Sequence, residues 1–184
     1  MNLSIDASFM EQSITDFLNN KFPGKVLGDY TYRGQFSLYV TADALYEIAL
    51  ALKEEAALSF DFLVDICSVD HLGKAWESEG RYEIVYTLLS LEHTYRFMLR
   101  VKIADHTVAP QSLCDIWHSA NWLEREVWDM MGIEFKKHPN LTKIVTDDDL
   151  EGHPLRKDFG LVYEEPQFSH NHDEVLITPD NPNH

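Results

Sequence analysis

Basic residues are scarce in this chain. Fifteen Lys and Arg stand against 31 Asp and Glu in 184 residues, a formal net charge of −16. A field of that sign repels phosphate backbones, so nucleic-acid binding is not expected. It disfavours a membrane surface too, unless a partner does the docking. Long apolar runs are missing: nothing approaches the ~18 consecutive apolar residues of a bilayer-spanning helix. Residues 1–10 carry neither a basic flank nor an apolar run, so no secretory signal is expected.

Cysteine is nearly absent. The two present, Cys67 and Cys114, are too few for a four-thiolate iron–sulfur cluster, and no Cys-x-x-Cys occurs. Their apolar neighbours suggest buried, reduced core thiols. The 8 glycines form neither Gly-x-Gly-x-x-Gly nor a phosphate loop. Gly-x-Ser-x-Gly is missing as well, and neither cysteine has a supporting nucleophile motif. The chain thus shows no usual means of holding a dinucleotide, a nucleoside triphosphate or a cluster by itself.

The apolar content suffices for a packed core: 45% of residues are hydrophobic and 12% aromatic. Helical spacing of Phe9, Met10, Ile14, Phe17 and Leu18 predicts a helix over 8–22, stopped by Pro23-Gly24. Residues 25–32 and 35–40 alternate around Arg33-Gly34 and read as a hairpin. Thr41 is placed to cap a second helix running to about Leu58, with Leu45, Ile48, Ala49, Leu52 and Ala56 on one face. Strands are expected over 60–69, 81–91 and 94–103, with a polar loop over 70–80. Arg96, Arg100 and Lys102 alternate with apolar residues, which predicts one wet face. A last helix is expected from about Ser112 to Met131, with a break near Asn121 and Gly132 closing it. Clustered hairpins with segregated helices give an α+β class: a mixed or antiparallel sheet of about five strands, helices packed on one face. Residues 1–161 read as a single domain and 162–184 as an extended tail with little core of its own.

Residues 122–161 are the most unusual stretch. They hold six of the 15 basic residues (Arg125, Lys136, Lys137, Lys143, Arg156, Lys157) and two His-Pro dipeptides, His138-Pro139 and His153-Pro154. Leu123, Val127, Met130 and Met131 form an apolar stripe, Arg125 and Asp129 are spaced to pair, and Glu126 shares a face with Trp122. The plain alternative is a solvated helix with one ordinary ion pair, worth a few tenths of a kcal/mol. The functional alternative is a docking face, because Trp and Arg are enriched in interface hot spots and Trp76, Trp117, Trp122 and Trp128 fall in or near this region or its strands. Arg156-Lys157-Asp158, after a Gly152-His153-Pro154-Leu155 turn, reads as an anion or docking loop. His138, His153, His170 and His172 with Asp147, Asp148 and Asp149 invite a metal, but no motif fixes them on one face. The aspartates read better as a loop with a helix N-cap.

This pattern resembles the family of the C subunit of respiratory NADH:quinone oxidoreductase, complex I. Glu124-Arg125-Glu126, Asp129, Gly132-Ile133, Phe135, His138-Pro139, Leu141 and residues 152–159 match the family's motifs. Two positions depart: Gly160 stands where the family usually has proline, and Thr142-Lys143 where arginines are common. The resemblance implies a non-catalytic structural subunit of the peripheral arm, on the cytoplasmic side of the bacterial inner membrane. Its implied partners are the quinone-site large subunit and the terminal-cluster subunit. FMN and iron–sulfur clusters would lie in partner subunits, leaving this chain no catalytic residue, cofactor site or metal ligand. The implied interface residues are Trp122, Glu124, Arg125, Glu126, Asp129, Gly132, His138, Pro139, Gly152, His153, Pro154, Arg156, Lys157 and Asp158. Arg125, Arg156 and Lys157 would pair with carboxylates, and Asp129 and Asp158 would orient the arginines. Two other readings stay open: the equivalent subunit of a related membrane-bound hydrogenase-type complex, and a small stand-alone metalloenzyme.

Overall fold

A computed structural model describes residues 7–74 and 80–160. The expectations for Trp76, His170, His172 and the tail 162–184 lie outside the described residues.

The elements run α1 (Ala7–Lys21), β1 (Val26–Tyr32), β2 (Gln35–Val40), α2 (Leu45–Glu54), β3 (Phe62–Asp70), β4 (Tyr82–Ser90), β5 (Tyr95–Ile103) and α3 (Ala120–Met131). One five-stranded sheet has the order β1-β2-β5-β4-β3. The β1–β2, β3–β4 and β4–β5 pairs are antiparallel, and β2–β5 is parallel. The fold is the expected α+β mixed sheet.

Period-two alternation sets the core. Phe36, Leu38, Val40, Tyr82, Ile84, Tyr86, Leu88, Phe97, Leu99, Val101 and Ile103 point to one side, where Met10, Ile14, Leu18, Leu45, Ile48 and Leu52 of the helices meet them. Phe9, expected on the buried side of α1, is 64% exposed. The hairpin turn puts both Arg33 (φ 50) and Gly34 (φ 75) in the left-handed region, the geometry that matches strand twist.

The other face is less wet than the alternation predicts. Arg100 donates to the buried Glu83 at 2.7 Å, and His71 sits 2.8 Å from the same carboxylate. Arg100 also lies 5.9 Å from the Tyr30 and Tyr39 ring centroids, and Lys102 5.1 Å from that of Tyr39. The cations are half-covered by aromatic rings and a carboxylate.

Several boundaries move, each for a local reason. Thr41 does not cap α2: the helix begins at Leu45 after a turn in which the Ala44 N–H bonds the Thr41 carbonyl. It ends at Glu54, because the Leu58 and Ser59 N–H groups both turn back to the Glu55 carbonyl, leaving Ala56 exposed. Asp70, expected in the polar loop, closes β3 and is buried. Cys67 is exposed on β3, against the expectation of a core thiol, and Cys114 is buried as expected. Residues 112–119 form turns in place of the first half of the last helix. Side chains hold them there: Trp117 Nε1 donates to the Asp61 carbonyl at 3.1 Å, and Ser119 Oγ to that of Leu63 at 3.2 Å. The three aspartates 147–149 lie in a turn, and no helix follows it among the described residues.

The α3 helix and the loops that wrap it

The last carbonyls of a helix have no partner within it and must find donors elsewhere. Here all four do. Trp128 O accepts the Gly132 N–H at 2.7 Å, and Met130 O the Leu155 N–H at 3.0 Å. Asp129 O accepts His153 Nδ1–H at 2.8 Å, and Met131 O accepts Arg156 Nε–H at 2.7 Å. The Gly-His-Pro-Leu-Arg loop is therefore a C-terminal cap for α3. It also brings a cation to the negative end of the helix dipole.

Gly132 makes this possible. Its φ of +73 is left-handed, and a Cβ there would stand 2.2 Å from Arg156 Nη2 and 2.4 Å from His153 Nε2. No other residue type leaves room for both side chains.

Asp129 does not pair with Arg125, as its spacing predicts. It is 1% exposed and its carboxylate accepts the N–H groups of Ile144, Val145 and Thr146 at 3.0, 2.8 and 3.0 Å, plus the Thr146 hydroxyl. Burial alone would raise this carboxyl, but the Thr146 hydroxyl and the three N–H donors outweigh it and hold it at about 2. Arg125 instead donates Nε–H to Thr142 O at 3.0 Å and Nη2–H to the Thr142 hydroxyl at 2.6 Å. Its guanidinium covers the Trp122 ring at 4.8 Å. Thr142 thus receives the arginine of α3, and Lys143 closes the following turn through the carbonyls of Asp147 at 2.8 Å and Leu150 at 2.6 Å.

A second anchor, Asp70, is not among the motif residues. Its carboxylate takes Arg81 Nη2 at 2.9 Å, the Leu72 N–H at 2.9 Å and the Lys157 N–H at 3.0 Å. Burial would raise it, but the Arg81 pairing and the backbone donors hold it at about 2. Asp158 pairs with Arg81 at 2.7 Å and does not orient Arg156. Lys157 Nζ reaches the Leu72 carbonyl at 3.3 Å. The three cations of the motif are thus held by carbonyl and hydroxyl oxygens, because helix and turn ends offered orphan acceptors close by. A polar residue at a strand end with an arginine eleven positions on was the only available signal for Asp70.

Glu124, expected among the interface residues, is 0% exposed. Its Oε1 accepts the Leu113 N–H at 2.8 Å, and its Oε2 lies 3.7 Å from Cys114 Sγ and 3.9 Å from His138 Nε2. Burial pushes the Glu124 carboxyl up to about 7 and the Cys114 thiol up to about 11. His138 accepts the Asn140 N–H on Nδ1 at 3.1 Å, so its proton sits on Nε2, which is 3.2 Å from the Asn121 carbonyl. Burial lowers its pKa. His153 is bound to the helix end and does not join His138.

Three large apolar side chains of the segment stand exposed among charged neighbours: Trp122 is 62%, Val145 60% and Leu155 59% exposed. Glu126, Pro139, Lys157 and Asp158 are exposed as well, and Pro154 is half-buried.

Residues 38–165 match the family described as the respiratory-chain NADH dehydrogenase 30 kDa subunit. The chain belongs to that family. Members similar to it include the C subunit of NADH-quinone oxidoreductase from Roseiflexus sp. strain RS-1, 39% identical over 163 residues, covering 89% of this chain and 91% of the relative. The C subunit from Paramagnetospirillum magneticum is 39% identical over 175 residues, covering 92% and 85%. Among solved structures, a trypsin-resistant fragment of Nqo5 aligns with a TM-score of 0.59 at 28% identity, covering 72% of this chain and 99% of that one. A chain of the membrane-bound sulfane sulfur reductase, an archaeal respiratory membrane complex, aligns at 0.65 and 26%, covering 82% and 86%. Residues 122–160 of this chain, which lie within the matched range, build the α3 cap, the Asp129 nest and the loop that Asp70 anchors.

Proposed function

We propose that this chain is a structural, non-catalytic subunit of the peripheral arm of a proton-translocating NADH:quinone oxidoreductase. The observation that carries it is the construction of residues 122–160 within a chain of this family. Asp129 accepts from one loop and Arg125 donates to it, Arg156 and His153 donate to the end of α3, and Asp70 at the end of β3 accepts the Lys157 N–H, so the loops are fixed onto α3 and β3 before any partner arrives. A rigid loop presenting Trp122, Val145 and Leu155 loses little conformational entropy on docking. The charges of the motif build the surface from inside, and the exposed apolar residues with Lys157, Asp158 and Glu126 meet the partner.

In this reading the partners are the quinone-site large subunit and the terminal-cluster subunit. FMN and the iron–sulfur clusters lie in partner subunits, and the assembly sits on the cytoplasmic face of the bacterial inner membrane. No helix among the described residues is long and apolar enough to cross a membrane. In this reading the described residues, 7–74 and 80–160, act as one body.

Affinity purification from solubilised membranes tests this. The chain should bring down a nicotinamide-oxidising flavin subunit and cluster-bearing subunits. Arg156→Ala should lower the yield of assembled arm while turnover per surviving complex stays near normal. Intact assembly with lost quinone reduction would place the segment in the chemistry instead. The likeness to the sulfane sulfur reductase complex favours one second reading, the equivalent subunit of a related respiratory complex with another electron donor or acceptor. Copurifying subunits without a nicotinamide site would select it.

A further inference from the structure

Cys114, Glu124 and His138 come from three separate places: the turns before α3, the helix itself and the loop after Phe135. One potential ligand atom of each lies within 4.8 Å of the other two. Glu124 Oε2 is the hub, 3.7 Å from the thiol sulfur and 3.9 Å from the imidazole Nε2. Tetrahedral zinc, with bonds of roughly 2.0–2.3 Å, separates such atoms by roughly 3.3–3.6 Å. Small side-chain rotations close that difference.

The site is enclosed. The Glu124 and His138 side chains are 0% exposed and Cys114 is 9% exposed. A buried carboxylate normally has a cation beside it, yet no lysine or arginine among the described residues contacts Glu124. A further polar group nearby lacks a partner: the fully buried Tyr86 hydroxyl, on which the Glu124 charge acts, makes no hydrogen bond. Thiolate, carboxylate and imidazole together suit zinc and its borderline-soft neighbours, and suit magnesium or calcium poorly.

We propose that Cys114, Glu124 and His138 bind one divalent cation of the zinc class, pinning the 112–116 turns and the His138 loop to α3. The role is structural, since all three ligands are shut away from substrate-sized molecules. On binding, the Cys114 thiol and any protonated Glu124 carboxyl release their protons to solvent, and the thiolate and carboxylate donate lone pairs to the metal. His138 changes tautomer: the Nε2 lone pair goes to the metal in place of its hydrogen bond to the Asn121 carbonyl, the ring proton moves to Nδ1, and the Asn140 N–H turns to water on its exposed loop. This inference stands apart from the choice of complex above.

The test uses the full-length chain, reduced with a phosphine, stripped by chelation and titrated with Co²⁺. Cobalt occupies zinc sites, and a thiolate ligand gives a sulfur-to-cobalt charge-transfer band that the tail histidines cannot produce. The band should saturate at about one equivalent and vanish when Zn²⁺ displaces the cobalt. Cys114→Ser should abolish it, and Cys67→Ser should keep it. His138→Gln should weaken cobalt binding by at least about tenfold, a readout that holds even if Cys114→Ser folds poorly. The proposal is overturned by a wild-type chain that gives no such band, by a band lost in Cys67→Ser, or by unchanged affinity in His138→Gln.

Discussion

Arg156 reaches from the 152–160 loop to the carbonyl oxygen of Met131, Nε to O 2.7 Å, and this contact ends α3. The guanidinium supplies the donor that a further turn of helix would have given, and it lies at the negative end of the helix dipole. The same side chain packs against the place where Gly132 has no Cβ. Helix end and docking loop are thus one structural unit, and a change in either is felt in both.

Gly132→Ala should therefore be costly. A left-handed alanine costs about 1 kcal/mol, and its Cβ would displace Arg156 and His153. We expect a total loss of about 2–4 kcal/mol in urea unfolding, with faster proteolysis around 152–160. Gly160→Ala points into open space and should change stability by less than about 0.5 kcal/mol. Equal losses at the two glycines would refute the packing argument.

Asp129→Ala leaves three N–H groups without their acceptor. We expect about 3 kcal/mol of destabilisation by denaturant titration, with faster amide exchange at 144–146. The exposed Glu126→Ala on the same helix should stay within about 0.5 kcal/mol of wild type. Slow exchange persisting at 144–146 in Asp129→Ala would mean that the nest is held by something else.

Acid should loosen the loops. Asp70 and Asp129 both sit at about 2 when folded, below an unfolded value of about 3.9. Their stabilisation is fully present above about pH 4 and is lost as pH falls through about 2. Asp70→Asn should flatten the acid limb of a stability-versus-pH curve. An unchanged limb in that variant would count against the anchor.

Glu124 works in the opposite direction. Its folded value of about 7 lies above the unfolded one of about 4.3. The neutral acid is favoured on folding, so in the chelator-treated chain stability is highest below about pH 4 from this group and declines up to about pH 7, by roughly 3 kcal/mol. Glu124→Gln should remove that decline. If the stability curves of wild type and variant run parallel from about pH 4 to about pH 7, the carboxyl is not shielded as its burial requires.

Trp122→Ala tests the surface without touching the scaffold. Trp122 contributes an exposed ring beneath Arg125, worth about 1 kcal/mol or less to stability. Chain stability should hardly move, while recovery of partner subunits in the affinity purification falls. Full recovery would take Trp122 out of the interface.

The hairpin around Arg33-Gly34, the apolar faces of α1 and α2 and the three long strands follow from period and turn chemistry. Local rules operate there with few competitors. They failed where a side chain bound backbone far away in sequence. Asp129 looked like a helix ion-pair partner because Arg125 is four residues away. It is instead the acceptor for a loop 15 to 17 residues on. Spacing reports which groups can meet on one element, and cannot report what another element offers at the same place.

Periodicity and a long motif are one-dimensional, so the α+β class, the family and the stretch on which the surface is built could all be read along the chain. What each charge in that stretch does was settled only in three dimensions. Burying Glu124, Asp129 and Asp70 made every nearby N–H, hydroxyl and guanidinium a contested donor. Which donor reached which acceptor depended on how helix end, sheet end and loop meet in space.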